Sequence, residues 1–373
     1  MKIALVLDDS IDRPDGVQQY VLTLAGYLTR AGHDVHVLCS AAAREDVTVH
    51  SLARNVGVRF NGNDLRIPLP SSRGPIRELL GRERYDVIHV QTPHSPLFAA
   101  RVVTEARRML RDAVRIVGTF HILPDSRVSE LGARALGRVL ARNLRHFDAF
   151  CAVSEPAAEF ARRSFGIAPE VIPCPVEVGR FASEAAARPR VPGEEGRLVV
   201  AFLGRLVERK GVLELVHALD ALPVELQDRL DVRIGGKGPL LGDLEAAIES
   251  SALAHVRLVG FVAEEDKAAF FADADIAAFP ATGGESFGIV LVEAMAAGAG
   301  VVLAGANPGY LSVIGPRPEV SVDARDSSAF AAALRRLAED DALRAELHDE
   351  QAQLVQRFDV DRVGAKILKL YGA

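Results

Sequence analysis

Short apolar runs closed by turn residues alternate with stretches of helical spacing from the second residue onward. That is the pattern of parallel strands covered by helices on both faces. In the first half, runs at 2–7, 34–38, 86–90, 114–119, 148–153 and 170–172 predict strands, and 17–31, 95–110, 129–145 and 155–165 predict helices. Ser154 ahead of Glu155-Pro156 supplies an N-cap and a first-turn proline. From Phe181 to Gly196 the chain reads FASEAAARPRVPGEEG, prolines, glycines, small residues and charges without a period, and 181–196 is expected to be a linker. The alternation then restarts, with strands at 198–203, 231–235, 256–259, 275–279 and 300–303 and helices near 211–221, 239–250, 264–273 and 288–297. The tail from 326 is largely helical, capped at Asp326 or Ser327 and broken at Phe358-Asp359. The expected architecture is α/β: two Rossmann-like domains, 1–180 and 197–360.

Composition narrows the function. A chain of 373 residues is long for one core and comfortable for two. With 49% hydrophobic and 25% charged residues it has the balance of an ordinary globular protein and not of a disordered one. The net charge of −6, with both signs interspersed, provides no basic field for a nucleic-acid partner. Cys39, Cys151 and Cys174 lack metal-ligand or CxxC spacing, so neither a disulfide framework nor a metal site is expected. Five apolar residues before Asp8-Asp9 are too few for a signal peptide, and no apolar run reaches the roughly 18 residues of a membrane span. The expectation is a cytoplasmic protein, with membrane contact at most peripheral at the inner face.

Candidate chemistry lies where strands run into helices. The loop from Asp8 to Gly16 enters a helix whose first amides and dipole suit a phosphate or sugar oxygen, although a single glycine there is more often plain turn chemistry. After strand 198–203 comes Gly204-Arg205-Leu206-Val207-Glu208-Arg209-Lys210-Gly211, three cations at the carboxyl edge of a parallel sheet, where ligands bind. A guanidinium fork with a lysine point charge matches a diphosphate. Gly235-Gly236-Lys237-Gly238-Pro239 is a second glycine-rich turn on that edge. The strongest signal is GGESFGIVLVEAMAAG at 283–298: Glu285 in a loop and Glu293 two turns along an apolar helix. A carboxylate buried there needs a partner, and ribose or sugar hydroxyls are suitable donors; a capping Glu285 with an exposed Glu293 is the plainer alternative. His121 follows the strand ending at Thr119-Phe120 and could meet a sugar, whereas His89 reads as a satisfied core residue and His94 as a loop residue.

Taken in order, PDGVQQYVLTLAGYLTRAGHDVHVL, TFH, AVSEPAAEF, FLGRLVERKG, GGKGP and GGESFGIVLVEAMAAG resemble the retaining GT-B glycosyltransferases over nearly the whole chain. Within them the likeness is to the bacterial phosphatidylinositol mannosyltransferase group. The resemblance implies a GT-B fold, with the two domains facing a central cleft and a last helix, 361–373, packing back on the first domain. It implies that Arg205 and Lys210, with Lys237 nearby, hold a donor diphosphate and that Glu293 binds ribose. Glu285 and the backbone of Ser286, Phe287, Gly288, Ile289 and Val290 would hold sugar and phosphate, Glu264 and Lys267 would approach the base, and Gly16 would approach the diphosphate. His121 would contact the transferred sugar, so that His121, Glu285, Arg205 and Lys210 form the catalytic set. Asp9, Gln18, Ser126 and Arg209 stand at acceptor positions. Asp8-Asp9 replaces an aromatic residue of that group and Ser126 a lysine, which leaves the acceptor, lipid or soluble, open. Around Arg77, Arg82 and Arg84 a membrane helix is diluted by Glu78 and Glu83.

The activity so implied is transfer of a hexose, mannose from GDP-mannose before all, to a hydroxyl acceptor by same-face substitution without metal or cofactor, the nucleotide sugar being a substrate. A UDP-sugar transferase, a nucleotide-sugar epimerase on the same scaffold and a non-catalytic sugar-nucleotide sensor are the alternatives. A nicotinamide dehydrogenase is disfavoured by a first loop without GxGxxG.

Overall fold

The computed structural model describes the chain except residues 13–14, 41, 54, 61–62, 69–70, 124–141 and 252, and except the side chains of 55–60 and 63–68. The expected helix at 129–145 and the candidate Ser126 therefore lie outside the described residues, or largely so. The chain divides into two compact units, Met1–Pro175 with Val360–Ala373, and Val176–Asp359.

The first unit is built on β1 (Lys2–Val6), α1 (Gly16–Arg30), β2 (Asp34–Cys39), β3 (Thr48–Ser51), β4 (Asn55–Phe60), β5 (Asn63–Pro68), α2 (Arg73–Glu83), β6 (Val87–Gln91), α3 (Phe98–Leu110), β7 (Arg115–Phe120), β8 (Ala149–Ala152), α4 (Glu155–Phe165) and β9 (Glu170–Val171). Seven strands make a sheet in the order β3-β2-β1-β6-β7-β8-β9, with every described pairing parallel. Its central strands are buried because helices cover both faces, and Ile76, Leu80, Val102, Val103 and Ala106 of α2 and α3 pack against Ala4, Val6, Ile88 and Ile116. Fully burying each such aliphatic side chain is worth about 1.5–3 kcal/mol. Ser154 caps α4 by accepting from the amide of Ala157, as its sequence signature predicts.

The second unit contains α5 (Val178–Ala186), β10 (Leu198–Leu203), α6 (Val212–Asp220), α7 (Val224–Gln227), β11 (Leu230–Gly235), α8 (Leu241–Ser250), β12 (Val256–Gly260), α9 (Lys267–Ala272), β13 (Ile276–Phe279), α10 (Ile289–Ala296), β14 (Val301–Gly305), α11 (Pro308–Ile314), β15 (Ser321–Val322), α12 (Ser327–Glu339) and α13 (Asp341–Leu354). The sheet order is β12-β11-β10-β13-β14-β15, again with parallel pairings. The last helix, α14 (Val360–Tyr371), returns to the first unit and packs on α1 and β7. Gly364 lies against the ring of Tyr27 so closely that a Cβ would stand 2.3 Å from it.

In three places the structure differs from what the sequence suggests. The segment 181–196, expected to be a linker without periodicity, begins within a helix, α5, because Val178 and Phe181, three residues apart, bury one face. Beyond it, 188–197 is tied down by ion pairs and is not a free tether: Arg190 reaches Asp275 at 2.5 Å, and Val191 donates its amide to Asp273 at 2.7 Å. The helix expected at 264–273 starts as a 3-10 turn, Glu264–Asp266, with the α-helix only from Lys267. The antiparallel hairpin β4-β5 went unpredicted, since Gly57, Asn63, Asp64 and Pro68 dilute the strand pattern.

Candidate active site

In the second sheet β10 and β13 are neighbours, and the chain runs outward from β10 to β11 and β12 on one side and from β13 to β14 and β15 on the other. The loops after β10 and β13 thus flank the switch point of a doubly wound sheet, where the strand ends splay and a ligand fits. Two close approaches fix the loop after β13, one to the loop after β10 and one to the start of α11. Gly211 has φ +72° and carries no Cβ because one would stand 1.8 Å from the carbonyl oxygen of Pro280. Gly309, at the start of α11, lies against the backbone of Glu285, where a Cβ would be 2.1 Å from its carbonyl oxygen.

Onto this frame the chain places Glu285, which is buried. Its Oε1 accepts from Nη1 of Arg209 and lies 3.0 Å from Nζ of Lys210. Burial pushes the Glu285 carboxyl up, but Lys210 and Arg209, with Arg205 behind them, outweigh it and hold the group below the ordinary carboxylate value. Glu285 is therefore ionised and fixes two cations at the switch point. Neither part of the capping alternative holds: the N-cap of α10 is Gly288, and Glu293 is buried. Phe287 packs against Phe358, ring centres 5.5 Å apart, so only its backbone can face a ligand. The first turn of α10 brings its amides and positive dipole end to the same edge.

Glu293 has found a partner within the chain. Lys267 Nζ lies 3.3 Å from Glu293 Oε1 and 2.8 Å from Glu264 Oε2. Burial raises the Glu293 carboxyl and Lys267, shared with Glu264, recovers only part of that cost, so the net shift is upward. For Lys267 burial acts downward, but the two carboxylates prevail and hold it charged. Lys237 stands apart, its ammonium 5.1 Å from the centre of the Phe261 ring, a cation–π contact worth about 0.5–1 kcal/mol at an exposed site. Arg205 is exposed and contributes charge to the Glu285 group.

In the first sheet the corresponding switch point lies between β1 and β6. Asp8 is locked there, accepting from the Ala99 amide at 2.7 Å, with its carboxyl raised by burial. Asp9, the residue expected to meet an acceptor, accepts from the Ser10 amide at 2.7 Å. Gln18 is buried and donates from Nε2 to the Ser10 carbonyl at 3.1 Å, so its amide nitrogen shapes the loop. Gly16 opens α1 with no described atom within 4 Å of a would-be Cβ, so packing does not demand a glycine. His121 follows β7, donates from Nε2 to Gln91 Oε1 at 2.7 Å and meets Tyr20 edge-on, ring centres 4.8 Å apart. Burial, with His89 and His94 nearby, pulls its pKa down to about 3, so it is a neutral imidazole. His89 is satisfied by Thr119 and Tyr371, and His94 stacks on Phe120.

Sequence reasoning passed over Gln91 and gave Asn307 and Tyr310 no role. Asn307 caps α11, accepting from the Tyr310 amide at 3.0 Å and donating to Ala281 at 3.0 Å, which braces the loop below Glu285. Asn-Pro ahead of a short apolar run was its available signal. Gln91, at the end of a buried strand, gave none.

Comparison with known proteins places these features in context. Residues 184–353 match the model of "Glycosyl transferases group 1" and residues 14–180 that of "Glycosyltransferase Family 4". The phosphatidyl-myo-inositol mannosyltransferase of Mycolicibacterium smegmatis is 34% identical over 100% of this chain and 93% of its own length. That of Propionibacterium freudenreichii is 31% identical over 100% and 94%. A D-inositol 3-phosphate glycosyltransferase of Xylanimonas cellulosilytica is 28% identical over 95% and 91%. Among solved structures, Anabaena HepE in complex with UDP and glucose superposes with a TM-score of 0.76 at 20% identity, each chain covered in full (100%).

Proposed function

This chain belongs to the group 1 glycosyl transferases of GT-B fold, and on that premise we propose that it transfers mannose from GDP-mannose to a ring hydroxyl of a phosphorylated myo-inositol, with retention and without a metal. Hexosyl transfer is the activity of its relatives; the donor, the stereochemistry and the acceptor are our reading. The observation that carries it is the fixed group of Arg209, Lys210 and Glu285 at the switch point of β10 and β13.

The chemistry follows from charge. As the bond between the anomeric carbon and the diphosphate oxygen breaks, negative charge grows on the leaving group. Lys210 and the arginines beside it stabilise that charge, and because Glu285 already holds Lys210 and Arg209 in place, little reorganisation is needed. The acceptor oxygen bonds to the anomeric carbon on the face the diphosphate leaves, and its proton passes to a departing phosphate oxygen. Glu293 and Lys267 are assigned to ribose and base, Glu285 and the start of α10 to the hexose and phosphates. Gly16 is assigned to the diphosphate and His121 to the hexose, which as a neutral ring offers a lone pair on Nδ1 and no charge.

Phosphatidyl-myo-inositol is the acceptor we favour, from the names of the relatives above 30% identity. A soluble inositol phosphate is the second reading, favoured by α2, where Arg77 is spent on Glu105 at 2.6 Å and Arg82 on Glu83 at 2.8 Å, leaving little basic surface for anionic lipid. No helix among the described residues is long and apolar enough to cross a membrane. The test is mass spectrometry after incubation with GDP-mannose or UDP-glucose and either phosphatidylinositol vesicles or inositol 3-phosphate, with and without EDTA. One added hexose, from GDP-mannose, insensitive to EDTA and of the donor's anomeric configuration, is expected. No hexosylated product under any combination would end the proposal, and an isomerised sugar nucleotide would turn it to an epimerase.

A further inference from the structure

Three side chains that the transfer reaction does not use meet at the amino-terminal end of the first sheet, opposite the edge that bears His121. His36 stands on β2 and His50 on its parallel neighbour β3, and Nε2 of His50 lies 3.1 Å from Nδ1 of His36. Nε2 of His36 faces Asp34 Oδ1 at 3.2 Å. With the ring proton on Nε2, beside that carboxylate, Nδ1 is bare, the arrangement by which a carboxylate orients an imidazole for a metal. The hydroxyl of Tyr85 also reaches this Nδ1, at 2.8 Å. One lone pair serves one good donor, so protein donors oversubscribe it. Glu83, the last residue of α2, completes the group: one ligand atom from each of His36, His50 and Glu83 lies within 4.8 Å of the others.

We propose that His36, His50 and Glu83 bind a divalent transition-metal ion of the zinc class. Zinc takes nitrogen at about 2.0–2.1 Å, so two ligating nitrogens of a tetrahedral ion stand roughly 3.3 Å apart, close to the 3.1 Å between His50 Nε2 and His36 Nδ1. Two imidazoles and a carboxylate are a borderline-soft donor set, suited to zinc and poor for magnesium or calcium. A modest turn of the Glu83 side chain brings the third ligand in, and water or the Tyr85 hydroxyl fills the fourth position. The cost is also visible. Lys2 Nζ holds Glu83 Oε2 at 2.6 Å and Arg82 holds Oε1 at 2.8 Å, so an ion displaces them, while Lys2 keeps Asp34 at 3.2 Å. The ion would tie β2 and β3 to the end of α2, stabilising the first unit without entering catalysis.

The test uses tag-free full-length protein, equilibrium dialysis against zinc chloride with elemental analysis, and thermal unfolding with zinc or EDTA. One zinc per chain and a raised Tm are expected. His50→Ala and Glu83→Gln should each weaken binding at least tenfold while leaving the Tm in EDTA within a few degrees of the parent. His33→Ala is the control, because its Nδ1 lies 3.2 Å from the Met1 amino group and offers a rival amine–imidazole pair. It should bind zinc like the parent. Absence of stoichiometric zinc, loss of binding in His33→Ala, or unchanged binding in both His50→Ala and Glu83→Gln would overturn the proposal.

Discussion

Lys210 and Glu285 act as one device, and their substitutions should not add. Lys210→Ala removes a preorganised cation, and kcat/KM should fall about 10²–10³-fold, the loss typical of a single oxyanion-stabilising donor. Glu285→Gln keeps the volume but releases both cations, so the double variant should be little worse than the poorer single one in a steady-state cycle. Simple additivity would show that the two residues work apart. Gly16→Ala tests the loop before α1, since no described atom competes for the space of a methyl. Its urea midpoint should match the parent while turnover drops at least tenfold, and equal turnover would remove Gly16 from the site. Histidines set the acid limit. His89, His94 and His121 are buried, and burial lowers their pKa values to about 3, about 4 and about 3. An unfolded chain binds these protons near the ordinary value of about 6.5. The unfolded state therefore holds more protons below that pH, and stability declines as pH falls from about 6.5 toward 4, by up to about 1.4 kcal/mol per pH unit for each ring. Urea midpoints measured across this window should drop steeply, and less steeply in His94→Leu.

At the scale of elements, the loops after β10 and β13 stand or fall together through Gly211. Gly211→Ala combines a left-handed backbone with a clash on Pro280 and should cost more than about 2 kcal/mol in chemical denaturation, with a larger loss of donor binding than of secondary structure. The alternation of apolar runs made both sheets readable, because a parallel strand covered on two faces needs no polar side chain to confuse its signal. Elements with a polar face or a short span escaped: α5, whose few apolar residues sit among alanines and charges, β15, which is two residues long, and the β4-β5 hairpin. Within the site, the segment 283–298 pointed to Glu285 and Glu293 because carboxylates in apolar surroundings demand partners. That those partners are Arg209, Lys210 and Lys267 depends on which strands adjoin, and strand order is not written in local spacing. Arg209 illustrates the gap, since its pairing with Glu285 is not visible in the sequence.

For the whole molecule, the first unit depends on residues from both ends of the chain. Tyr371 bonds to His89 at 2.7 Å, and Arg115 donates to the Leu370 carbonyl at 2.7 Å. Removing Val360–Ala373 should lower the unfolding temperature of the first unit and leave that of the second nearly unchanged, as two-transition calorimetry of parent and truncated chains would show. The passages out of and back into that unit run side by side, with Val176 and Asp359 in a parallel bridge and the Val176 amide donating to the Phe358 carbonyl at 2.9 Å. For a chain made from its amino end this sets an order of assembly. The segment up to Pro175 emerges from the ribosome first yet must wait for α14 before Nδ1 of His89 has its partner, while the half synthesised in between is complete as soon as it clears the exit tunnel.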